Sequence, residues 1–163
     1  MEQNNKALLS RLTDNHVEFV IIGGYCAVLH GVSLVTFDLD VCCRFTAENL
    51  RRIEVAVEGL HPFHRLAANK LPLELTDDLI SRLKNLYLQT DLGKLDCLGE
   101  VLGVGDYEHA VKRSVGHKTT YGEFRMLDID ALIAAKDAVG RERDLAAVKQ
   151  LRAIKEKTEG PKM

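Results

Sequence analysis

No apolar run in this sequence approaches the roughly 20 residues needed to cross a bilayer, and the opening stretch MEQNNKALLSRL lacks the apolar core of a signal peptide. The expected compartment is therefore the cytoplasm, with no membrane partner. Charge of one sign is also missing: 22 Lys and Arg against 24 Asp and Glu leave a formal net charge of −2. Without an overall basic field, a long polynucleotide is not a favoured substrate. The four cysteines, Cys26, Cys42, Cys43 and Cys97, form no C-x-x-C pair and sit in apolar or strand-like surroundings, which reads as buried reduced thiols and not as a disulfide or zinc framework. Internal repeats and low-complexity segments are absent ahead of a polar tail, Thr158 to Met163. What is left is the composition of an ordinary folded domain, and 163 residues suit one domain with a small helical appendage.

The pattern within that domain alternates strand and helix. Leu8, Leu9 and Leu12 give a helical spacing over Asn5 to Asn15, and Val17 to Ile22 is apolar at nearly every position, as in a central strand covered on both faces. A short helix follows, Gly23 to Gly31, with Ala27 and Val28 inward and His30 at its end as a structural residue. Thr46 caps an amphipathic helix whose stripe is Leu50, Ile53 and Val57, ending near Gly59. His61 and His64 flank Pro62, which indicates a loop or edge strand rather than a zinc site, and Leu79, Leu83 and Leu86 suggest a helical turn. Asn85 to Thr90 and Lys94 to Leu98 read as a hairpin turned by Asp91-Leu92-Gly93. A helical pattern over Tyr107 to Arg113, a last strand over Phe124 to Leu127, and a helix capped by Asp130 that runs into a second one complete the chain. The expected fold class is α/β (α+β): a short mixed sheet flanked by helices, residues 1–163 forming one domain whose C-terminal helical part covers about 128–157.

The chemistry is concentrated in VIIGGYCAVLHGVSLVTFDLDVCC, Val20 to Cys43. Asp38 and Asp40 stand two apart on a strand, so their carboxylates share one face while Phe37, Leu39 and Val41 point to the other. Carboxylates that close repel unless a cation lies between them, which asks for a hard divalent metal, Mg²⁺ before Mn²⁺. Gly23-Gly24, where a strand passes into a helix, can offer backbone N–H groups to a phosphate. Asp96, mid-strand between Leu95 and Cys97, faces away from the core. If its strand neighbours that of Asp38 and Asp40, three acids converge in a two-metal phosphoryl-transfer site, with Asp96 the first candidate for general base.

The ordered set Gly23-Gly24, Ala27, His30-Gly31, Ser33, Thr36, Asp38-x-Asp40 and Asp96 resembles the nucleotidyltransferase superfamily with a polymerase beta-like core. More narrowly it is similar to small bacterial nucleotidyltransferases related to the AbiEii toxin group. The likeness extends through Gly93 to Glu108 and on to Lys136 and Arg141 to Asp144. It implies transfer of a nucleoside monophosphate from an NTP to a hydroxyl by two metals held by Asp38, Asp40 and Asp96. Gly23, Gly24, Ser33, Thr36 and Lys136 are then the nucleotide-binding residues. The acceptor implied is a small molecule, an RNA 3′ end or a protein hydroxyl, and an antitoxin is the implied protein partner. Leu34 departs from the pattern, since related chains carry an arginine two residues before the threonine. That departure motivates the alternative of a catalytically silent nucleotide-binding or toxin–antitoxin-type module. A metal-dependent phosphohydrolase is a weaker option, because no histidine is spaced to join Asp38 and Asp40.

Overall fold

Asn4 opens the first helix: its side chain accepts from the N–H of Ala7 at 3.0 Å, so that α1 (Asn5–Asp14) starts there and buries Leu8, Leu9 and Leu12. The computed structural model describes residues 2–159, so residues 160–163 of the expected polar tail lie outside it. In chain order there follow β1 (Phe19–Ile22), α2 (Gly23–Leu29), β2 (Asp38–Cys43), α3 (Ala47–Ala56), β3 (Phe63–His64), β4 (Leu71–Pro72) and α4 (Asp77–Arg82). Then come β5 (Asn85–Thr90), β6 (Gly93–Leu98), β7 (Glu100–Val101), β8 (Gly105–Asp106), α5 (Tyr107–Lys112), β9 (Ser114–Thr119), β10 (Gly122–Leu127), α6 (Ile129–Val139) and α7 (Glu142–Glu159).

The main sheet has the order β4-β3-β5-β6-β2-β1-β10-β9, and β7 pairs with β8 in a small hairpin beside it. The β1–β10 and β2–β6 pairs are parallel and the other pairs antiparallel, which is the mixed α/β architecture with C-terminal helices expected from the sequence. Every residue of β1 is buried, as its unbroken apolar run requires of a strand inside the sheet. Leu39 and Val41 of β2 and Leu95 and Cys97 of β6 are fully buried on one face, together with Leu8, Leu50 and Ile53 of the helices. The opposite face of β2 and β6 carries the acids.

Several expectations change in detail. β1 begins at Phe19, and in α2 the buried pair is Cys26 and Ala27, with Val28 only half-buried. Leu86 belongs to β5 and not to the turn containing Leu79. The cap of α6 is Asp128, which accepts from the Ala131 N–H at 2.7 Å, while Asp130 falls in the first turn. β9 was not anticipated, because SVGHKT lacks the apolar alternation of a buried strand and sits at the sheet edge with no fully buried residue. All four cysteines are free and buried. His61 bonds Asp91 at 2.6 Å, and His64 lies in β3, away from any metal cluster. Among the described residues no helix is long and apolar enough to cross a membrane.

Candidate active site

Parallel pairing of β2 with β6 puts Asp40 opposite Asp96 and Asp38 opposite Lys94. Because residues in register share a face, the three carboxylates come together: one oxygen from each of Asp38, Asp40 and Asp96 lies within 4.8 Å of the other two. Asp96 does stand on the face opposite Leu95 and Cys97, but that face is not solvent there, since Asp96 is only 5 % exposed. Burial, followed by the charges of Asp38 and Asp96, pushes the Asp40 carboxyl up to about 7. Asp96 is raised as well, by burial above all, with the hydrogen bonds and charge of Arg65 opposing. Asp40 and Asp96 lie close enough to share a proton, which raises Asp40 and lowers Asp96. Three acids held this close in a partly dry site, with only oxygen donors, fit a hard divalent cation, which would replace that proton.

The start of α2 is built around this cluster. Gly23 has φ +68°, and a Cβ there would lie 2.6 Å from Oδ2 of Asp40. Only glycine lets the backbone turn from β1 into α2 against the carboxylate. Gly24 has similar company on its other side, where Thr36 Cγ2 would be 3.1 Å from a Cβ. Thr36 in turn receives a long bond from Asn5 at 3.4 Å, and the Ser33 N–H donates to Gln150 Oε1 at 3.1 Å. His30, at the end of α2, contacts the carbonyl of Leu127 at 2.7 Å and is a structural residue tying α2 to β10.

An open cavity of 680 Å³ lies over the acids, and Gly23, Gly24, Ser33, Thr36, Asp38, Asp40, Asp96 and Lys136 all line it. The sequence therefore picked out residues that the fold gathers around one space. Basic residues, Lys136, Arg141 and Arg143, line it as well. Asp144 of α7, 2 % exposed, accepts from Arg141 Nε at 2.6 Å and pairs with Lys136 Nζ at 3.7 Å. Burial alone would raise Asp144, but the hydrogen bonds and charge of Arg141, with Lys136, outweigh it and hold it below its ordinary value. Arg141 is also within electrostatic reach of Asp40 and Asp38. Lys136 is thus a fixed, largely buried cation, not a solvated helix lysine.

Two features, the place of Phe37 and the contact of Arg65, escaped sequence reading. Phe37 does not follow Leu39 and Val41 into the core; it precedes β2, where strand alternation no longer applies, and stands 72 % exposed on the cavity rim beside Val35. Leu34, at the departure from the pattern, lines the same rim. Arg65, from the segment hardest to read, forks onto Asp96, with Nε 3.2 Å from Oδ1 and Nη2 bonded to Oδ2. Nothing in HPFHRLAANKLP advertises that contact, since an arginine after a short edge strand is ordinarily solvated.

No family model and no curated protein matches the sequence. Solved structures do resemble the fold. JHP933 from Helicobacter pylori superposes with a TM-score of 0.49 at 18 % identity, over 91 % of this chain and 62 % of that one. ANT(2″)-Ia, solved in complex with adenylyl-2″-tobramycin, gives 0.48 at 15 % identity over 92 % and 95 % of the two chains. A further Helicobacter pylori protein, described as a candidate nucleotidyltransferase, gives 0.42 at 20 % identity over 80 % and 53 %. The chain thus spans less than two thirds of both Helicobacter pylori proteins.

Proposed function

We propose that this chain is a metal-dependent nucleotidyltransferase, moving a nucleoside monophosphate from an NTP to a hydroxyl acceptor. The observation that carries the reading is the convergence of Asp38, Asp40 and Asp96 in a cavity that Lys136 and Arg141 also line. Acids and fixed cations around one space suit a triphosphate with a divalent cation, which neither set alone would. The reading treats residues 1–163 as one cytoplasmic domain.

The residues divide the work as follows. Asp38 and Asp40 would hold Mg²⁺ or Mn²⁺, which when bound supplies neutralisation of phosphate charge and a lowered pKa at a ligated hydroxyl. Gly23 and Gly24 let the backbone come close to the phosphates, with Ser33 and Thr36 on the adjoining loop, and Lys136 and Arg141 balance the triphosphate from α6 and the start of α7. Asp96 takes the proton of the acceptor hydroxyl. That oxygen forms a bond to the α-phosphorus while the bond to the leaving pyrophosphate breaks. Three acids are the ligand set of the two-metal form of the reaction, provided that Asp96 is free to join a second cation. Asp96 decides between one cation and two, because its carboxylate is shared between the acidic cluster and Arg65.

The partners on this reading are an NTP and a hydroxyl acceptor, with an antitoxin if the chain acts as the toxins it resembles do. Leu34 on the cavity rim supports one other reading, a nucleotide-binding or interaction module without turnover. Incubation with α-labelled NTPs and pools of small hydroxyl compounds, RNA and protein separates the two. Label should pass from NTP to one pool with wild type and to none with Asp38→Ala or Asp40→Ala, and transfer surviving both substitutions would sink the mechanism.

A further inference from the structure

The acids continue a row that crosses the sheet. Asp40 stands opposite Asp96, and Asp96 stands opposite Tyr87 of β5. Arg65, just past β3, extends the row, its N–H donating to the Tyr87 carbonyl at 3.1 Å. From there the guanidinium passes back over the Tyr87 ring, 5.5 Å from its centroid, and engages both oxygens of Asp96. Neither side chain is loose: Arg65 is 23 % exposed and Asp96 8 %. The backbone bond and the aromatic ring fix Arg65 without help from Asp96, so the fork is a built part of the site.

This arrangement bears on the number of cations. A divalent ion shared by all three acids needs an oxygen of Asp96, and both oxygens already accept from a group that stays charged at every working pH. A fixed guanidinium at that distance also repels a second divalent ion. Among the described residues no cationic side chain forms an ion pair with Asp38 or Asp40, although the charges of Arg65 and Arg141 reach the cluster; in register, Lys94 stands opposite Asp38. We infer that Arg65 takes the place of a second divalent cation on Asp96, so that the loaded site holds one cation, on Asp38 and Asp40. The inference deepens the nucleotidyltransferase reading and rests on it. Arg65 is then a positioning residue: its fork fixes the Asp96 carboxylate in place, with Tyr87 beneath the guanidinium.

The test counts bound Mn²⁺ by electron paramagnetic resonance on the full chain, with a non-transferable NTP analogue present. Wild type should bind one Mn²⁺ per chain, Arg65→Lys should still bind one because the charge is kept, and Arg65→Gln should bind two. Two Mn²⁺ on wild type, or one on an Arg65→Gln protein whose circular dichroism is native, overturns the inference and leaves the transferase reading standing. No Mn²⁺ on wild type overturns both. If Arg65→Gln fails to fold, the counts on wild type and Arg65→Lys still decide.

Discussion

A Cβ on Gly23 would sit 2.6 Å from Oδ2 of Asp40, closer than any side chain allows, in a residue whose φ is +68°. Backbone turn and acidic cluster are therefore one construction. Gly23→Ala should lose roughly 2 kcal/mol of stability from the left-handed backbone alone and displace Asp40 besides. In urea denaturation that loss should appear together with a collapse of divalent-cation binding. Native cation affinity in a destabilised Gly23→Ala protein would separate the two and count against the construction.

Asp40 should govern how stability without metal varies with pH. Its folded pKa is raised to about 7 by burial and by Asp38 and Asp96, against an ordinary 3.8. The folded state therefore holds this proton more tightly than the unfolded chain does. The contribution is complete below the ordinary value and is lost as pH rises through about 7. The loss is on the order of 4 kcal/mol. Asp40→Asn, which mimics the protonated form, should match wild type near pH 4 and exceed it in urea resistance at pH 7.5. Saturating Mg²⁺ should restore wild type at the higher pH and do nothing for the variant. Parallel stability curves for the two proteins across this range would refute the assignment.

Asp144→Asn removes the charge that holds Lys136 and Arg141. Breaking a buried pair from one side should cost about 2 kcal/mol or more, and loosened cations should weaken nucleotide binding about tenfold. Fluorescent NTP titration alongside thermal melting checks both. Full NTP affinity in the variant would mean that Lys136 and Arg141 do not need Asp144 to face the phosphates.

Reaction of the cysteines with a thiol reagent tests the core. Cys26, Cys42, Cys43 and Cys97 are all buried, and burial pushes the Cys26 and Cys42 thiols up to about 12. None should react with Ellman's reagent at pH 8 in the native protein, and all four should react in denaturant. A fast-reacting thiol in the native state would show that one of these strands is open.

The central part of the fold was legible because its signals are local. The run Phe19–Ile22, the Asp91-Leu92-Gly93 turn and the Thr46 cap each fix an element from neighbouring residues. The acids on one face of β2 follow from strand alternation, and their meeting with Asp96 needed only that β2 and β6 be neighbours, which they are. What escaped depends on distance along the chain. Arg65 meets Asp96 across 31 positions, from just past a strand of two residues with no periodicity to read. Phe37 was misplaced by carrying the alternation one residue beyond the strand, and Asp130 was taken as a cap where Asp128, two residues earlier, faces the free N–H.

On the function proposed above, Asp38 and Asp40 hold a divalent cation together with an NTP. Isothermal titration of a non-transferable NTP analogue, with and without Mg²⁺, measures it without any acceptor. Binding should require Mg²⁺ in wild type and disappear in Asp38→Asn and Asp40→Asn. Equal binding with and without Mg²⁺, or undiminished Mg²⁺-dependent binding in both variants, would contradict it.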